Sequence, residues 1–408
     1  MVTKNIITSL DIGTTHVRVI VGEMGTGDNI NIIGVGTSLS DGIKNGGIVD
    51  LEKTIDGITS AVEQAERMAG VEIESVFVGV VGSHVQLIEN NGVVAVSRDD
   101  KEITPEDVDR AIQAAKVIAL PPDREIIDVI PRQFIVDGYD GIKDPVGMLG
   151  VRMEVEALVL AGKSTSVHNI LRCVTRAGLD VDGLVLNPMA NAEAVLTNDE
   201  KELGVVLVDI GGGTVEIGVF QNGHLHQLDV INVGGNFITN DIAVGLKTPQ
   251  EEAEQLKVKH GIALTEIADN DKMLEIVQVG KKESVKIDAV ELTEIIEPRV
   301  QEIFYLVGER LDQLGYNSND LAAGIVLTGG VTKLKGVKEI AEHELNAHIR
   351  IAEPRLLGAN NPIYSVGVGI IQYVTENNLH SLEPEGNENT QLTGVITKVK
   401  DWVLDFFE

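Results

Sequence analysis

Short β-branched runs alternate with longer amphipathic stretches along this 408-residue chain, and that alternation predicts an α/β architecture. IITSLDI (6–12), VRVIVG (17–22) and NIIGVG read as strands bounded by Gly or Asp. Ile55, Ile58, Val62, Ala65 and Met68 then recur at helical spacing, and VFVGVV (76–81) reads as a buried strand. The stretch 84–162 has a character of its own. GVVAVS, IIDVIPRQFIVDG and VRMEVEALVLAG read as strands, and ITPEDVDRAIQAAKVI reads as a helix. In that helix Thr104 fits the N-cap, Pro105 the first turn, and Glu106 and Asp107 the positive end of the dipole. Strands return at GVVLVD (204–209) and 324–327, with helices expected over 248–260 and 292–314. SLEPEGNENTQ (381–391) has linker composition. The last stretch, 392–408, carries Leu392, Val395, Ile396, Val399, Trp402, Val403, Phe406 and Phe407 on one helical stripe.

Composition narrows the function classes. The net charge of −30 argues against general nucleic-acid binding and against electrostatic attraction to anionic lipid. The single cysteine, Cys173, excludes an intramolecular disulfide and a cysteine zinc cluster, and suits a reducing compartment. No run approaches the roughly 18 apolar residues of a spanning helix, and the N-terminus lacks the apolar core of a signal peptide. A cytoplasmic, multi-lobed protein is expected. Any membrane contact must then be apolar and local, as the tail stripe allows. Two lysines against three acids leave that stripe without a basic face, so its attraction must be mainly hydrophobic.

The chemical signal is a repeat. LDIGTTHVRVIVG (10–22) and VDIGGGTVEIGVF (208–220) each run from a buried strand ending in Asp, through a glycine turn with Thr, into a second strand. Glycine lets backbone approach a ligand closely, and amides with Thr hydroxyls can hold phosphate oxygens. Asp11 and Asp209 each supply an oxygen suited to Mg²⁺. One copy would be an ordinary hairpin; two copies in separate halves point to a phosphate clamp between lobes.

These motifs resemble the phosphate loops of the actin, Hsp70 and sugar-kinase superfamily. IVLTGG (325–330) is similar to its adenosine-side turn, and YSVGVGII (364–371) to its second connecting helix. NIIGVG, QAERMAG, NGVVAVS, DVIPRQFIVDG, GGNFITNDIA, EEAEQLKVKHG and the tail stripe together resemble the FtsA family, the bacterial actin homologues that anchor the division ring. The resemblance implies an actin-like (ribonuclease H-like) two-lobed ATPase fold with an inserted subdomain and a C-terminal amphipathic helix. The implied divisions are lobe 1 at 1–83, 163–190 and 361–380, and the insertion at 84–162. Lobe 2 then takes 191–232 and 303–360, with a smaller subdomain at 233–302. It also implies ATP and Mg²⁺ as cofactors. Asp11, Gly13, Thr14, Thr15 and Arg18 would surround the phosphates, with Asp209, Gly211, Gly212, Gly213 and Thr214 opposite. Gly234, Gly235, Glu254, Lys257, Gly329 and Gly330 would surround ribose and adenine. Arg18 stands where relatives commonly carry Lys; a solvent-facing strand arginine is the plainer alternative. Glu254 and Lys257, three apart on one helix, could equally form a surface ion pair.

Asn187, in LNPMANAEA, stands where many superfamily members place an acid or Gln that positions the attacking water. Asn cannot accept that proton, so ATP binding with slow turnover is expected. EIIEPRVQEIF (294–304) resembles the helix where the FtsZ C-terminal peptide docks, with Arg299 as the basic residue. The implied partners are FtsZ, further copies of the chain, membrane lipid and other division proteins, on the cytoplasmic side of the membrane at the septum. A sugar- or acetate-type kinase and an Hsp70-like ATPase are the competing classes. The first lacks a visible substrate set and the second a substrate-binding domain after residue 371. Two further features read as incidental. AGKST (161–165) lacks the earlier glycine of a phosphate-binding loop, so Ser164 or Thr165 is expected to cap a helix. His224 and His226 share a strand face without a third metal ligand and read as exposed.

Overall fold

The computed structural model describes residues 6–25, 29–281, 283–316 and 321–377. The predicted linker 381–391 and tail helix 392–408 lie outside them. The chain opens with β1 (Ile6–Ile12), β2 (His16–Met24), β3 (Ile30–Leu39), the short pair β4 (Ile43–Lys44) and β5 (Gly47–Ile48), α1 (Leu51–Ala69) and β6 (Ser75–Val80). A 3₁₀ turn, Gly82–His84, leads into β7 (Val85–Ala95), α2 (Pro105–Ala115), β8 (Arg124–Val136), β9 (Tyr139–Ile142) and β10 (Arg152–Lys163). Next come α3 (Ser164–Arg176), β11 (Asp180–Leu186), α4 (Asn187–Val195), α5 (Asn198–Leu203), β12 (Val205–Ile210), β13 (Val215–Gln221) and β14 (His224–Ile231). The rest comprises α6 (Gly235–Leu246), α7 (Gln250–His260), β15 (Met273–Val277), β16 (Ser284–Asp288), α8 (Ala289–Gln313), β17 (Ile325–Thr328), α9 (Val337–Leu345), β18 (Ile349–Ile351) and α10 (Ser365–Glu376).

Two five-stranded mixed sheets face each other through a pair of helices. The first has the order β11-β6-β1-β2-β3 and the second β14-β13-β12-β17-β18. Continuous apolar runs such as VVLVDI bury both faces of these strands, as mixed sheets covered by helices require. The outer face of the first sheet packs Leu10, Val19 and Val78 against Ile58 and Ala61 of α1 and Leu171 of α3. Its inner face shares one core with the second sheet. Ile20 and Phe77 join Leu207, Phe220 and Val326 around Ala190 of α4 and Ile370 of α10. The two helices cross so closely that a Cβ on Gly369 would collide with the Ala190 carbonyl. That contact holds the root of the cleft described below.

Residues 85–163 form a separate four-stranded sheet, β7-β10-β8-β9, backed by α2 around Met153, Val155 and Phe134. Thr104 caps α2 as expected, with Asp107 Oδ2 accepting from its backbone N–H at 3.0 Å and its hydroxyl at 2.8 Å. The expected hydroxyl cap at 164–165 does not form. β10 runs directly into α3 at Lys163, and Ser164 N–H is satisfied by the Asp123 carbonyl at 2.9 Å instead. α8 continues through Pro298 as one helix, so the expected 302/303 division falls inside it. Among the described residues, no helix is long and apolar enough to cross a membrane.

Candidate functional site

Both repeat hairpins fold alike, in matching register. Asp11 lies opposite Arg18 across β1 and β2, and Asp209 lies opposite Glu216 across β12 and β13. In each turn the first amide closes on the fourth carbonyl, Gly13 to His16 at 3.1 Å and Gly211 to Thr214 at 2.9 Å. The tips meet across the lobes. Thr15 Oγ1 donates to Asn236 Oδ1 at 3.1 Å, and a Cβ on Gly213 would stand 2.6 Å from Thr14 Cγ2.

Between the hairpins lies a cavity of about 460 Å³, lined by Asp11, Arg18, Asp209, Glu254, Lys257 and the 329–331 turn, among others. That size is in the range of small-ligand pockets. Of the predicted cleft residues, Gly213 and Gly234 do not line it. Gly213 is pressed against Thr14, and Gly234 against the Gly211 and Gly212 carbonyls. Gly234 instead takes the N-cap position of α6, whose first amides bond the turn of the second hairpin: Gly235 to Gly211 O at 2.9 Å and Asn236 to Gly212 O at 2.7 Å. Gly329 has φ +90°, and a Cβ there would collide with Asp209 Oδ1, so only glycine lets this turn approach the strand end.

The charged groups are crowded and mostly negative. Asp11 is 7 % exposed, and Arg18 Nη1 lies 3.6 Å from its Oδ2. Arg18 therefore points inward, not to solvent, and its Nε is buried without a partner. Burial raises the Asp11 carboxyl above its ordinary value, while Arg18 pulls it down. Burial raises Asp209 to about 6 against the hydrogen bond from Asn191 Nδ2, at 2.9 Å. Burial drives Glu216 furthest, to about 8, and Asp209 and Asp11 push the same way. Glu216 is 6 % exposed; one oxygen accepts the Gly82 N–H at 2.9 Å and the other faces Asn187 Nδ2 at 3.5 Å.

Asn187 opens α4 and is 5 % exposed, with its Oδ1 unpartnered. On the far wall Lys257 Nζ bonds Glu254 Oε2 at 2.7 Å, Thr239 Oγ1 at 2.7 Å and Gly235 O at 3.0 Å. The pair is thus an inward ion pair at the cleft wall; burial lowers the Lys257 pKa and Glu254 raises it. Arg299 lies elsewhere, on α8, bound to Asp241 at 2.6 Å and to Glu302, with its guanidinium 5.8 Å from the Phe237 ring centre. His224 and His226 are half-buried beside Arg132, correcting the expectation of exposure. No cluster of three acidic, His or Cys side chains among the described residues is arranged to hold a metal.

A family model described as "Cell division protein FtsA" matches residues 206–369, and one described as "SHS2 domain inserted in FTSA" matches 82–161. Cell division protein FtsA of Bacillus subtilis is 47 % identical over 369 residues, 90 % of this chain and 83 % of that protein. The chain belongs to the FtsA family. The Escherichia coli FtsA protein is 36 % identical over 416 residues, 99 % of each chain. Among solved structures, the PilM-PilN type IV pilus biogenesis complex gives a TM-score of 0.62 at 15 % identity, covering 90 % of this chain and 98 % of that one. MreB5 of Spiroplasma citri bound to ADP gives 0.54 at 14 % identity, covering 94 % and 99 %. The fold of this FtsA-family chain is therefore actin-like, with the inserted subdomain the sequence led one to expect.

Proposed function

We propose that this cell division protein binds ATP with Mg²⁺, assembles into actin-like filaments, and tethers FtsZ filaments to the cytoplasmic face of the membrane at the septum. The paired hairpins carry this reading. Two loops of the same turn geometry, each behind a strand-end Asp, converge on one cavity between two lobes. Thr14, Thr15, Gly212 and Thr214 offer amides and hydroxyls suited to phosphate oxygens, Gly13 and Gly211 close the turns that carry them, and Arg18 adds charge. Glu254, Lys257, Gly235, Gly329 and Gly330 form the wall for ribose and base.

Asp11 and Asp209 stand together at the strand ends with Arg18 beside them, so a divalent cation between these acids and a triphosphate fits the site's chemistry. Asp11 and Asp209 would hold Mg²⁺ through its waters and the phosphates, and the ion would neutralise the charge developing during phosphoryl transfer. Asn187 can orient a water but not deprotonate it, so turnover is slow.

Arg299 supplies the positive centre for an acidic FtsZ peptide, which must displace Asp241 or Glu302 to reach it. The tail, from Leu392 to Phe407, supplies the apolar membrane contact. Single copies bind weakly, and assembly makes the contact firm by avidity. Vesicle pelleting with and without 392–408, in ATP, tests the tether. Full-length protein that stays in the supernatant at every lipid composition sinks it, and lipid binding that falls steeply with salt contradicts the mainly hydrophobic contact. Equilibrium titration with Mg-ATP tests the cleft.

A further inference from the structure

The 3₁₀ turn Gly82–His84 is the root of the inserted subdomain, joining β6 of the first sheet to β7 of the insertion. Both phosphate hairpins are linked to it, the second directly and the first through Gly46. From the second, Glu216 Oε2 accepts the Gly82 N–H at 2.9 Å, buried, across 134 residues of sequence. From the first, Thr14 Oγ1 accepts the Gly46 N–H at 3.1 Å, and His84 Nε2 hydrogen-bonds the Gly46 carbonyl at 3.1 Å. The turn is also wedged against the second lobe, because a Cβ on Gly82 would stand 2.8 Å from Leu228 Cδ1 of β14. Gly82 and His84, at the base of one subdomain, are thus held by groups from both sides of the cleft.

A buried carboxyl bridging a backbone amide and the Asn187 side chain needs a reason, since a well-packed apolar side chain would be cheaper to bury. Its position gives one. Glu216 is cross-strand from Asp209 and leans over the strand end where phosphate would sit. A ligand that parts Thr14 from Gly213 must move one hairpin relative to the other, and the turn is bonded to the second directly and linked to the first through Gly46.

Resting on the nucleotide-cleft reading above, we infer that Glu216 is a positioning residue that fixes Asn187 and ties the cleft to the root of the inserted subdomain. Filling the cleft then reorients that subdomain. The inserted sheet is rigid around its own core, so a small displacement at the turn is carried to its far edge at β9.

Cys173 is buried, so full-length protein can be labelled selectively at Asp140→Cys on the exposed edge of the insertion and Glu339→Cys on α9. Pulsed electron paramagnetic resonance then reads the distance between the two labels, without lipid, with and without saturating Mg-ATP. The distribution is expected to shift in the wild-type background and in Glu216→Gln, which keeps an oxygen for Gly82. The shift is expected to vanish in Glu216→Leu. His84→Ala, outside the cleft, should reduce the shift while Mg-ATP affinity stays within about threefold. An undiminished shift in His84→Ala or in folded Glu216→Leu overturns the proposal, and so does Glu216→Gln behaving like Glu216→Leu. Wild-type protein that binds Mg-ATP without any shift overturns the coupling alone. Wild-type protein that binds no Mg-ATP overturns the cleft reading and the coupling with it.

Discussion

Arg18 decides whether the cleft is built for phosphate or merely neutralises its own aspartate. Its side chain is 16 % exposed, and its guanidinium stands 3.6 Å from Asp11. A phosphate charge about 4 Å away at an effective dielectric near 20 would gain roughly 4 kcal/mol. Competition from Asp11 and water entering the open cleft reduce this, leaving about 2–3 kcal/mol, or roughly 30- to 150-fold in ATP affinity. Arg18→Ala should show that loss, whereas Arg18→Lys, which keeps a point charge but not the planar fork, should lose about tenfold or less. Adenosine carries no phosphate and should bind all three proteins alike. The assay is equilibrium titration at pH 8. Removing Arg18 takes away the influence that lowers the Asp11 pKa, so all three proteins are compared at the same pH. Equal losses for ATP and adenosine would show a collapsed wall in place of a lost phosphate contact. An ATP loss under about threefold would confine Arg18 to pairing with Asp11.

Three further outcomes are expected. Gly329→Ala places a methyl against Asp209 Oδ1 and 2.6 Å from Ile210 O at φ +90°, and should lower stability to urea by about 2–4 kcal/mol. Gly330→Ala, with only Ile363 Cγ2 at 3.7 Å, should cost under about 1 kcal/mol. Burial raises the folded pKa of Asp128 on β8 from 3.8 to about 6, so its stability contribution is greatest below 3.8 and lost as pH rises through 6. Asp128→Asn should therefore gain about 1–3 kcal/mol at pH 8 and nothing at pH 4, read by urea unfolding at both. Asn187→Ala should leave ATP affinity within about threefold while residual phosphate release falls about tenfold or more; equal losses in both would remove Asn187 from the reaction.

The hairpins were legible because their chemistry is local. Asp at a strand end, glycine in the turn and β-branched residues on both sides all sit within 13 residues of sequence. Glu216 was missed although the signal was present. It follows Asp209 by seven residues, as Arg18 follows Asp11, and the register makes the two positions equivalent. Within VEIGVF it reads as the polar member of an alternating strand, which normally faces water. Only the covering turn at Gly82, contributed by the other lobe, turns that face into an interior. Asn191 shows the same limit one helical turn beyond Asn187: helical spacing gives its face, but not that Asp209 stands opposite. Arg299 is the sharper case. Helical spacing within EIIEPRVQEIF gives only local acids as its neighbours, yet its guanidinium also pairs with Asp241, 58 residues away on α6. What tertiary packing added at each position is a group distant in sequence, from the other lobe at Glu216 and from a neighbouring element at Asn191 and Arg299, and the groups it brought together are the ones whose charge is costly to bury alone. A cleft between two lobes is therefore read least well at its midline, and in this protein the midline holds Asn187, Glu216 and the root of the inserted subdomain.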